Sequence, residues 1–204
     1  MTLNGATLQL TRAYRQIARA EAAAATGRRI VTAFADCALS QWFEDITLEE
    51  VARRAGVTVR SVIRHYGGKD GLIGAFIEQL GAQISEEFTG EPGDVDGAVE
   101  RLVTVYERVG DGTIRNLAQE SRVPALGALL DFGRREHRRI TAVQFAPWLE
   151  RLDGRERERA LNALVIATDV YTWKLLRRDM AQPMKAVREQ ITRLVRAALD
   201  EYAA

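Results

Sequence analysis

Two arginines one helical turn apart, Arg60 and Arg64, have the spacing in this chain that best suits a specific chemistry. A guanidinium group can donate two parallel hydrogen bonds to O6 and N7 of guanine, the commonest specific contact in the major groove of DNA. Residues at i and i+4 lie on one face of a helix, so both groups would point toward the same groove. The spacing therefore indicates contact with base edges, provided that a short helix presents this face to DNA.

The sequence around these arginines predicts two short helices joined by a tight turn. Thr47 and Glu50 have the spacing of a capping box at the start of the first helix. Gly56 suits the left-handed residue that ends this helix, and Thr58 is the candidate N-cap of the second. Apolar residues repeat at helical spacing between these signals. This arrangement is typical of a helix-turn-helix that reads DNA, although plain helical hairpins share the spacing.

The predicted DNA contacts extend from the first helix to the start of the fourth. Val59 and Ile63 suit apolar contact with thymine methyl groups, and Lys69 suits a phosphate at a helix N-terminus. The full set is Thr47, Thr58, Val59, Arg60, Ser61, Ile63, Arg64, His65, Tyr66 and Lys69.

An alanine-rich segment with basic residues precedes this motif. Arg12, Arg15 and Arg19 are spaced by three and four residues, so a helix would place them on one face. We interpret residues 1–26 as a basic helical arm that lies along the DNA backbone or enters a minor groove. A solvated helix or tail is the alternative.

Residues 28–72 resemble the tetracycline-repressor (TetR) family of bacterial transcription regulators. The resemblance rests on RRIVTAFADCAL in the first helix, on T-x-x-x-V-A-x-x-A-G-V-T at 47–58, and on H-Y-x-x-K-D-x-L at 65–72. The family usually ends its recognition helix with two aromatic residues. Tyr66 occupies the second of these positions, and Ile63 replaces the first.

The resemblance implies an all-α fold of about nine helices, with a helix-turn-helix reader, a larger C-terminal helical bundle and, here, an N-terminal helical extension. The expected domains are the arm at 1–26, the DNA-binding domain at 27–72, and a ligand-binding and dimerisation domain at 73–204. The implied function is a ligand-responsive regulator, a repressor, that binds a palindromic operator as a homodimer and is released by a small-molecule effector.

Beyond the motif, the pattern predicts helices near 69–88, 95–109, 113–121, 123–151, 155–179 and 183–202, with Pro147 ending or kinking one of them. The last two predicted helices carry more apolar surface than one modest core requires, which favours a symmetric interface between two copies. The predicted interface residues are Ile166, Val170, Ile191, Val195, Leu199 and Tyr202.

Polar and aromatic residues among apolar neighbours are candidates for an effector site in the larger domain. They are Tyr106, Asn116, Phe132, His137, Phe145, Trp148, Asp169 and Trp173. Two alternatives stay open at this point. One is a helix-turn-helix regulator with no small-molecule effector, and the other is an all-helical enzyme.

Composition sets further limits. The chain has 29 Lys and Arg against 28 Asp and Glu, and residues 71–111 hold two basic and nine acidic side chains, so DNA contact is expected near the N-terminus. The one cysteine, Cys37, lies on an apolar stripe and is expected in the core. We expect no metal site, no cofactor, no catalysis, no membrane contact and a cytoplasmic location.

Overall fold

The computed structural model describes residues 3–202, and it describes the side chains of all of them except residues 3–13, 80–82, 84 and 85. Every regular element in this range is helical, as the sequence predicts. The α-helices, in chain order, are α1 Leu3–Ser40, α2 Leu48–Ala55, α3 Val59–Tyr66, α4 Lys69–Phe88, α5 Val95–Leu117, α6 Ala125–Gln144, α7 Ala146–Leu149, α8 Gly154–Ala167, α9 Val170–Lys174 and α10 Met184–Asp200. A 3₁₀ turn lies at Phe43–Asp45 and a π-helical turn at Leu175–Asp179.

The first helix is longer than predicted, because the alanine-rich arm and the first helix of the reader form one continuous rod. Alanine has the highest helix propensity, and Gly27 at the predicted boundary does not interrupt the helix. A Cβ at Gly27 would lie 2.8 Å from the hydroxyl oxygen of Tyr66. The glycine therefore leaves room on α1 for the Tyr66 hydroxyl.

Helix α5 merges two predicted helices, since Gly110 and Gly112 are both accommodated within it. A Cβ at Gly110 would overlap the Trp173 ring, and one at Gly112 would lie 2.7 Å from the carbonyl oxygen of Leu39. These glycines serve close packing, which overrides their low helix propensity.

Two long predicted helices are instead divided. The predicted helix 123–151 is interrupted at Phe145, and Pro147 stands in the first turn of α7, as expected of a proline that cannot continue a helix. The predicted helix 155–179 stops at Thr168, and Asp169 then caps α9 by accepting a hydrogen bond from the Tyr171 N–H at 2.8 Å. The Asp169 side chain competes with the continuous helix for backbone N–H groups, and apolar periodicity does not predict such a break.

The chain forms two compact units. The first comprises the chain up to Cys37 together with Ile46–Phe76. Its core is built from α1 to α4, and the Phe34 and Phe76 rings meet edge to face with centroids 6.0 Å apart. Its most deeply buried side chains are Ile30, Phe34, Cys37, Val51, Val62 and Leu72. Burial of Cys37 agrees with its predicted place in the core.

The second unit comprises Ala38–Asp45 together with the chain from Ile77 onward. Its core collects apolar side chains of α5 to α10, among them Val103, Leu149, Leu164, Trp173, Val187, Ile191 and Val195. None of the helices in the described part of the chain is long and apolar enough to cross a membrane.

Three polar side chains, two of them buried, connect residues 38–45 to the end of α5 and the turn after it. The side-chain oxygen of the fully buried Gln119 accepts a hydrogen bond from the Phe43 N–H at 3.0 Å. Arg115 donates to the Leu39 carbonyl at 3.0 Å, and Asn116 donates to the Ala38 carbonyl at 3.2 Å. The last carbonyl groups of a helix have no partner within it, so these bonds satisfy the C-terminal end of α1.

Candidate nucleic-acid interface

Helix α2 begins where the sequence predicts. Thr47 is extended, with φ −107° and ψ 154°, and its hydroxyl accepts a hydrogen bond from the Glu50 N–H at 3.2 Å. This satisfies one of the donors that a helix start leaves unpaired. The exposed Thr47 thus stands at a helix N-terminus, where free N–H groups and the helix dipole favour an anion such as a phosphate.

The Glu50 side chain binds the next turn of its own helix. Its carboxylate accepts hydrogen bonds from Arg53 at 2.7 and 2.8 Å and from Arg54 at 2.6 Å. The Arg53 hydrogen bonds, followed by those of Arg54, lower the pKa of Glu50 to about 2. Glu50 is therefore ionised at neutral pH and offsets part of the positive charge of α2, an ion-pair pattern that the capping-box prediction missed.

The turn between α2 and α3 is set by Gly56, whose φ of 65° and ψ of 40° are left-handed. This conformation is much cheaper for glycine than for other residues. Thr58 then caps α3, since its hydroxyl accepts from the Ser61 N–H at 3.2 Å and lies 3.0 Å from the Ser61 hydroxyl. The two caps fix both ends of the turn and hence the start of α3.

Helix α3 has one buried side and one exposed side. Val62 is completely buried, whereas Arg60, Ile63 and Arg64 are exposed, with 48% of the Ile63 surface accessible. Val59 and Ser61 are half-buried between the two sides. The exposed side combines two guanidinium groups with one apolar side chain, which suits guanine edges and a thymine methyl group.

The end of α3 packs on α1. Tyr66 is half-buried, its hydroxyl approaches Gly27, and burial raises the pKa of its phenol. His65 is half-buried beside it, with ring centroids 5.9 Å apart, and Lys69 is half-buried at the start of α4. The structure places Tyr66 in a packing role, and its predicted contact with DNA stays a prediction.

The arm presents charge on α1. Arg15 and Arg19 are exposed, as is every side chain from residue 14 to residue 25. The side chain of Arg12 lies outside the described residues. Contact between the arm and DNA therefore stays a prediction.

In the second unit, four of the predicted ligand residues meet around Thr168, at the break between α8 and α9. The Tyr106 hydroxyl donates to the Thr168 carbonyl at 3.1 Å, and His137 Nε2 lies 3.0 Å from the Thr168 hydroxyl. Asp169 lies 3.8 Å from His137 Nδ1, and the Tyr106 and Trp173 ring centroids are 6.0 Å apart. Burial lowers the pKa of His137 and raises that of Tyr106.

The other predicted ligand residues lie apart from this cluster. Asn116 donates a hydrogen bond to the Ala38 carbonyl near the end of α1. Phe145 is buried against Trp148, with ring centroids 6.4 Å apart. Phe132 is half-buried on α6. Trp148 lines a surface cleft of about 330 Å³. Gly93–Asp96 and the end of α10 form the rest of this cleft, so it contains no other predicted ligand residue.

The predicted dimer residues require a correction. Val170, Ile191, Val195 and Leu199 are buried in the core of the second unit, because their stripe faces inward within the same chain. Ile166 is 68% exposed, and Tyr202 is half-buried. The structure also exposes Tyr171, Leu175 and Leu194 on this unit, and none of them is among the predicted interface residues.

Within the described residues, no three His, Cys, Asp or Glu side chains gather as a metal site. Sequence reasoning also missed the role of Glu107, whose carboxylate accepts from the Trp173 indole and from Arg177, both at 2.9 Å. No short-range motif predicts these contacts, since Glu107 is 66 positions from Trp173 and 70 positions from Arg177.

Comparison with known proteins gives matches to bacterial regulators. A sequence model described as bacterial regulatory proteins of the tetR family matches residues 42–76. Over 93 residues, this chain is 30% identical to uncharacterized HTH-type transcriptional regulators of Mycobacterium tuberculosis and Mycobacterium bovis. The matched region covers 45% of this chain and 49% of each relative. The chain thus spans about half the length of the curated relatives it matches.

Solved structures share the fold over most of the chain. A transcriptional regulator from Rhodococcus sp. Rha1 has a TM-score of 0.66 at 18% identity, covering 87% of this chain and 98% of that one. A protein from Mesorhizobium loti, proposed to be a TetR-family regulator, has a TM-score of 0.67 at 19% identity, covering 89% and 98%. A TetR-family regulator from Streptomyces coelicolor has a TM-score of 0.51 at 23% identity, covering 87% and 99%.

Proposed function

We propose that this chain, whose residues 42–76 match the model of the tetR family of bacterial regulatory proteins, binds double-stranded DNA through α3 and regulates transcription. The observation that carries the proposal is the two-sided α3 helix. Val62 anchors it in the core, while Arg60 and Arg64 extend from its exposed side. The named relatives are transcriptional regulators, and the proposal includes no catalytic step.

The proposed DNA-binding form is a homodimer on a palindromic operator in the cytoplasm. Two α3 helices enter successive major grooves on one side of the duplex when they are roughly 34 Å apart. Exposed apolar side chains support a symmetric contact in the second unit, notably Ile166, Tyr171 and Leu175. A dimer with two-fold symmetry would bind an inverted repeat, because each protomer contacts one half of a DNA site that has the same two-fold symmetry.

The proposed regulation is repression that a small-molecule effector relieves. Tyr106, His137 and Asp169 gather polar groups at a break between helices, which is a place where a ligand can favour one helix arrangement. A ligand that binds better to a form with a different α3 spacing would weaken operator binding. The change in operator affinity cannot exceed the difference in ligand affinity between the two forms.

A second candidate is a regulator without a small-molecule effector. Its support is that Tyr106 and Trp173 are buried and already bonded to Thr168 and Glu107. These two side chains then serve packing, and regulation would come from a partner protein or from the amount of the regulator.

Selection of binding sites from random double-stranded DNA tests the function, followed by footprinting of the selected sites. The expected result is an enriched inverted repeat whose halves are protected about one helical turn apart. The matched control is the double variant Arg60→Ala, Arg64→Ala, which should enrich no sequence. Recovery of unselected sequences by the native protein would exclude a sequence-specific regulator.

A thermal-shift screen of metabolite-like compounds separates the two candidates. An effector should raise the unfolding temperature and also release the selected DNA. Stabilisation that leaves DNA binding unchanged would support the effector-free candidate, and so would a screen in which no compound releases DNA.

A further inference from the structure

The N-terminal part of α1 extends from the first unit as uninterrupted helix. The described side chains from residue 14 to residue 25 are all exposed, including the large apolar Tyr14 and Ile17. Residues 14 to 27 span about 20 Å at a rise of about 1.5 Å per residue. Because this segment is continuous helix, the positions of its side chains relative to one another are fixed.

The helical register places Arg15 and Arg19 on a particular side of this rod. They precede Ala33 and Cys37 by 18 residues each, which is about five complete turns. Ala33 and Cys37 are both buried in the first unit, where α1 packs against the helices of the reader. The two arginines thus lie on the same line along α1 as Ala33 and Cys37.

The rod starts close to the recognition helix. Gly27 of α1 lies against Tyr66 at the C-terminal end of α3, and α1 continues from there toward its N-terminus. Arg19 precedes Gly27 by eight residues, so it lies within about 80° of the line of α1 that meets Tyr66, and Arg15 lies about 40° further around the helix. Glu21 is the one acidic residue between residues 14 and 25, and its register puts it away from this stripe.

The shape of the rod determines what it can contact. An α-helix with its side chains is about 10 Å wide, whereas the minor groove of B-DNA is about 6 Å wide. The helix cannot lie within the minor groove, but its arginines can reach the phosphates that border a groove. Such contacts add affinity that depends on salt and carry no base preference.

We infer that residues 14–25 of α1 form a rigid basic rod that lies along the phosphate backbone of DNA, outside the groove that α3 enters. Arg15 and Arg19 bind the phosphates, and the continuous helix fixes their direction relative to α3. The inference rests on the proposed DNA binding.

The first test replaces the charge. The double variant Arg15→Ala, Arg19→Ala should bind both selected and random DNA more weakly, with the reduction greatest at low salt. The slope of log affinity against log salt should become shallower by about 0.9 for each phosphate that is no longer neutralised. The matched control is Arg155→Ala, Arg157→Ala, which removes the same charge from exposed positions of α8. This control should keep the salt slope of the native protein.

The second test rotates the stripe and keeps its charge. Insertion of one alanine between Ala23 and Ala24 turns the N-terminal part of the rod by about 100°. The arginines of a rigid rod then point away from the phosphates, so the salt slope should fall to that of the double variant. Circular dichroism should show unchanged helix content. A salt slope equal to that of the native protein would overturn the rigid-rod inference.

Base preference gives a third readout. Binding-site selection should return the same operator for the native protein and for Arg15→Ala, Arg19→Ala. A changed preference in the flanking base pairs would overturn backbone contact. If the native protein selects no operator and binds no DNA, the proposed function itself fails. If it selects an operator but the double variant keeps its affinity and salt slope, only the rod inference fails.

Discussion

Arg60 and Arg64 differ from the arginines of the preceding helix in what they contact. Arg53 and Arg54 share the Glu50 carboxylate, whereas Arg60 and Arg64 extend from the exposed side of α3. Long side chains in this position can pair with a base edge without first breaking an ion pair. The sequence predicts the two residues correctly as exposed, because Val62 between them has to face the core.

We expect Arg60→Ala or Arg64→Ala to weaken binding to the selected operator by about 1–3 kcal/mol, with relaxed preference at one base pair of each half-site. Titration of labelled operators with all four bases at each position measures both effects. Arg53→Ala is the control, since its guanidinium is occupied by Glu50. If neither variant changes affinity or preference, α3 does not read bases through these arginines.

At Gly71 the neighbouring backbone leaves no room for a side chain. A Cβ there would overlap the carbonyl oxygen of Tyr66, the last residue of α3. Gly71→Ala should lower the free energy of unfolding by about 1–3 kcal/mol, because backbone atoms must shift to accommodate the methyl group. Urea unfolding followed by circular dichroism measures the change.

Gly74 provides the matched control for this prediction. It lies in the same helix, α4, and nothing stands within 4 Å of a Cβ at its position. Gly74→Ala should be neutral or stabilising by up to about 1 kcal/mol, because alanine favours helix more than glycine does. Equal destabilisation by both variants would show that space at Gly71 is not the cause.

Among the elements, the α8–α9 break joins side chains from three helices. His137 of α6 and Tyr106 of α5 both bond to Thr168, the residue at which α8 ends. Burial lowers the pKa of His137 below its ordinary value of 6.5, although the Asp169 carboxylate opposes this shift. As the pH falls, His137 is therefore protonated at a higher pH in the unfolded chain than in the folded protein.

The sign of the pH dependence follows from this difference. As the pH falls below 6.5, the unfolded state takes up more protons, so the free energy of unfolding should decrease until the folded protein is protonated too. His137 contributes at most about 1.4 kcal/mol per pH unit. His137→Gln should flatten the pH dependence between about pH 5 and 7. His65→Gln is the control and should retain it, and an unchanged profile in the His137 variant would contradict burial as the cause.

Elements defined by local caps are predictable from the sequence, and elements defined by packing are not. The N-caps Thr47 and Thr58 and the full extent of α4 follow from threonine, glycine and lysine signals that act within a few residues. The continuity of α5 depends on Trp173 packing over Gly110, and that contact joins residues 63 positions apart. Local propensity contains no information about such a contact, so the sequence predicts this helix in two pieces.

At the scale of the whole molecule, the exposed apolar side chains of α8 and α9 suggest where a second copy binds. We expect Ile166→Glu to shift the protein from dimer to monomer, because a carboxylate would be buried in the contact without a partner. Light scattering at micromolar concentration measures the mass. Since Ile166 is 68% exposed, the variant should unfold at nearly the native temperature.

Val195→Ala is the matched control for association. Val195 is completely buried within one chain, so this variant should lower stability by about 1–3 kcal/mol without changing the mass of the dimer. A native protein that is monomeric at these concentrations would exclude the proposed interface. The sequence alone could not separate Ile166 from Val195, because periodicity identifies an apolar stripe and does not identify what covers it.

The grouping of residues 38–45 with the second unit has a consequence for anyone who divides or recombines this chain. These eight residues lie between the two segments of the first unit, yet Gln119, far along the sequence, accepts the hydrogen bond of the Phe43 N–H. A fragment that ends at residue 76 would keep this turn but lose Gln119, the acceptor of the Phe43 N–H. Grafting the reader onto a related body should therefore succeed only when residues 38–45 are exchanged together with α5 and Gln119.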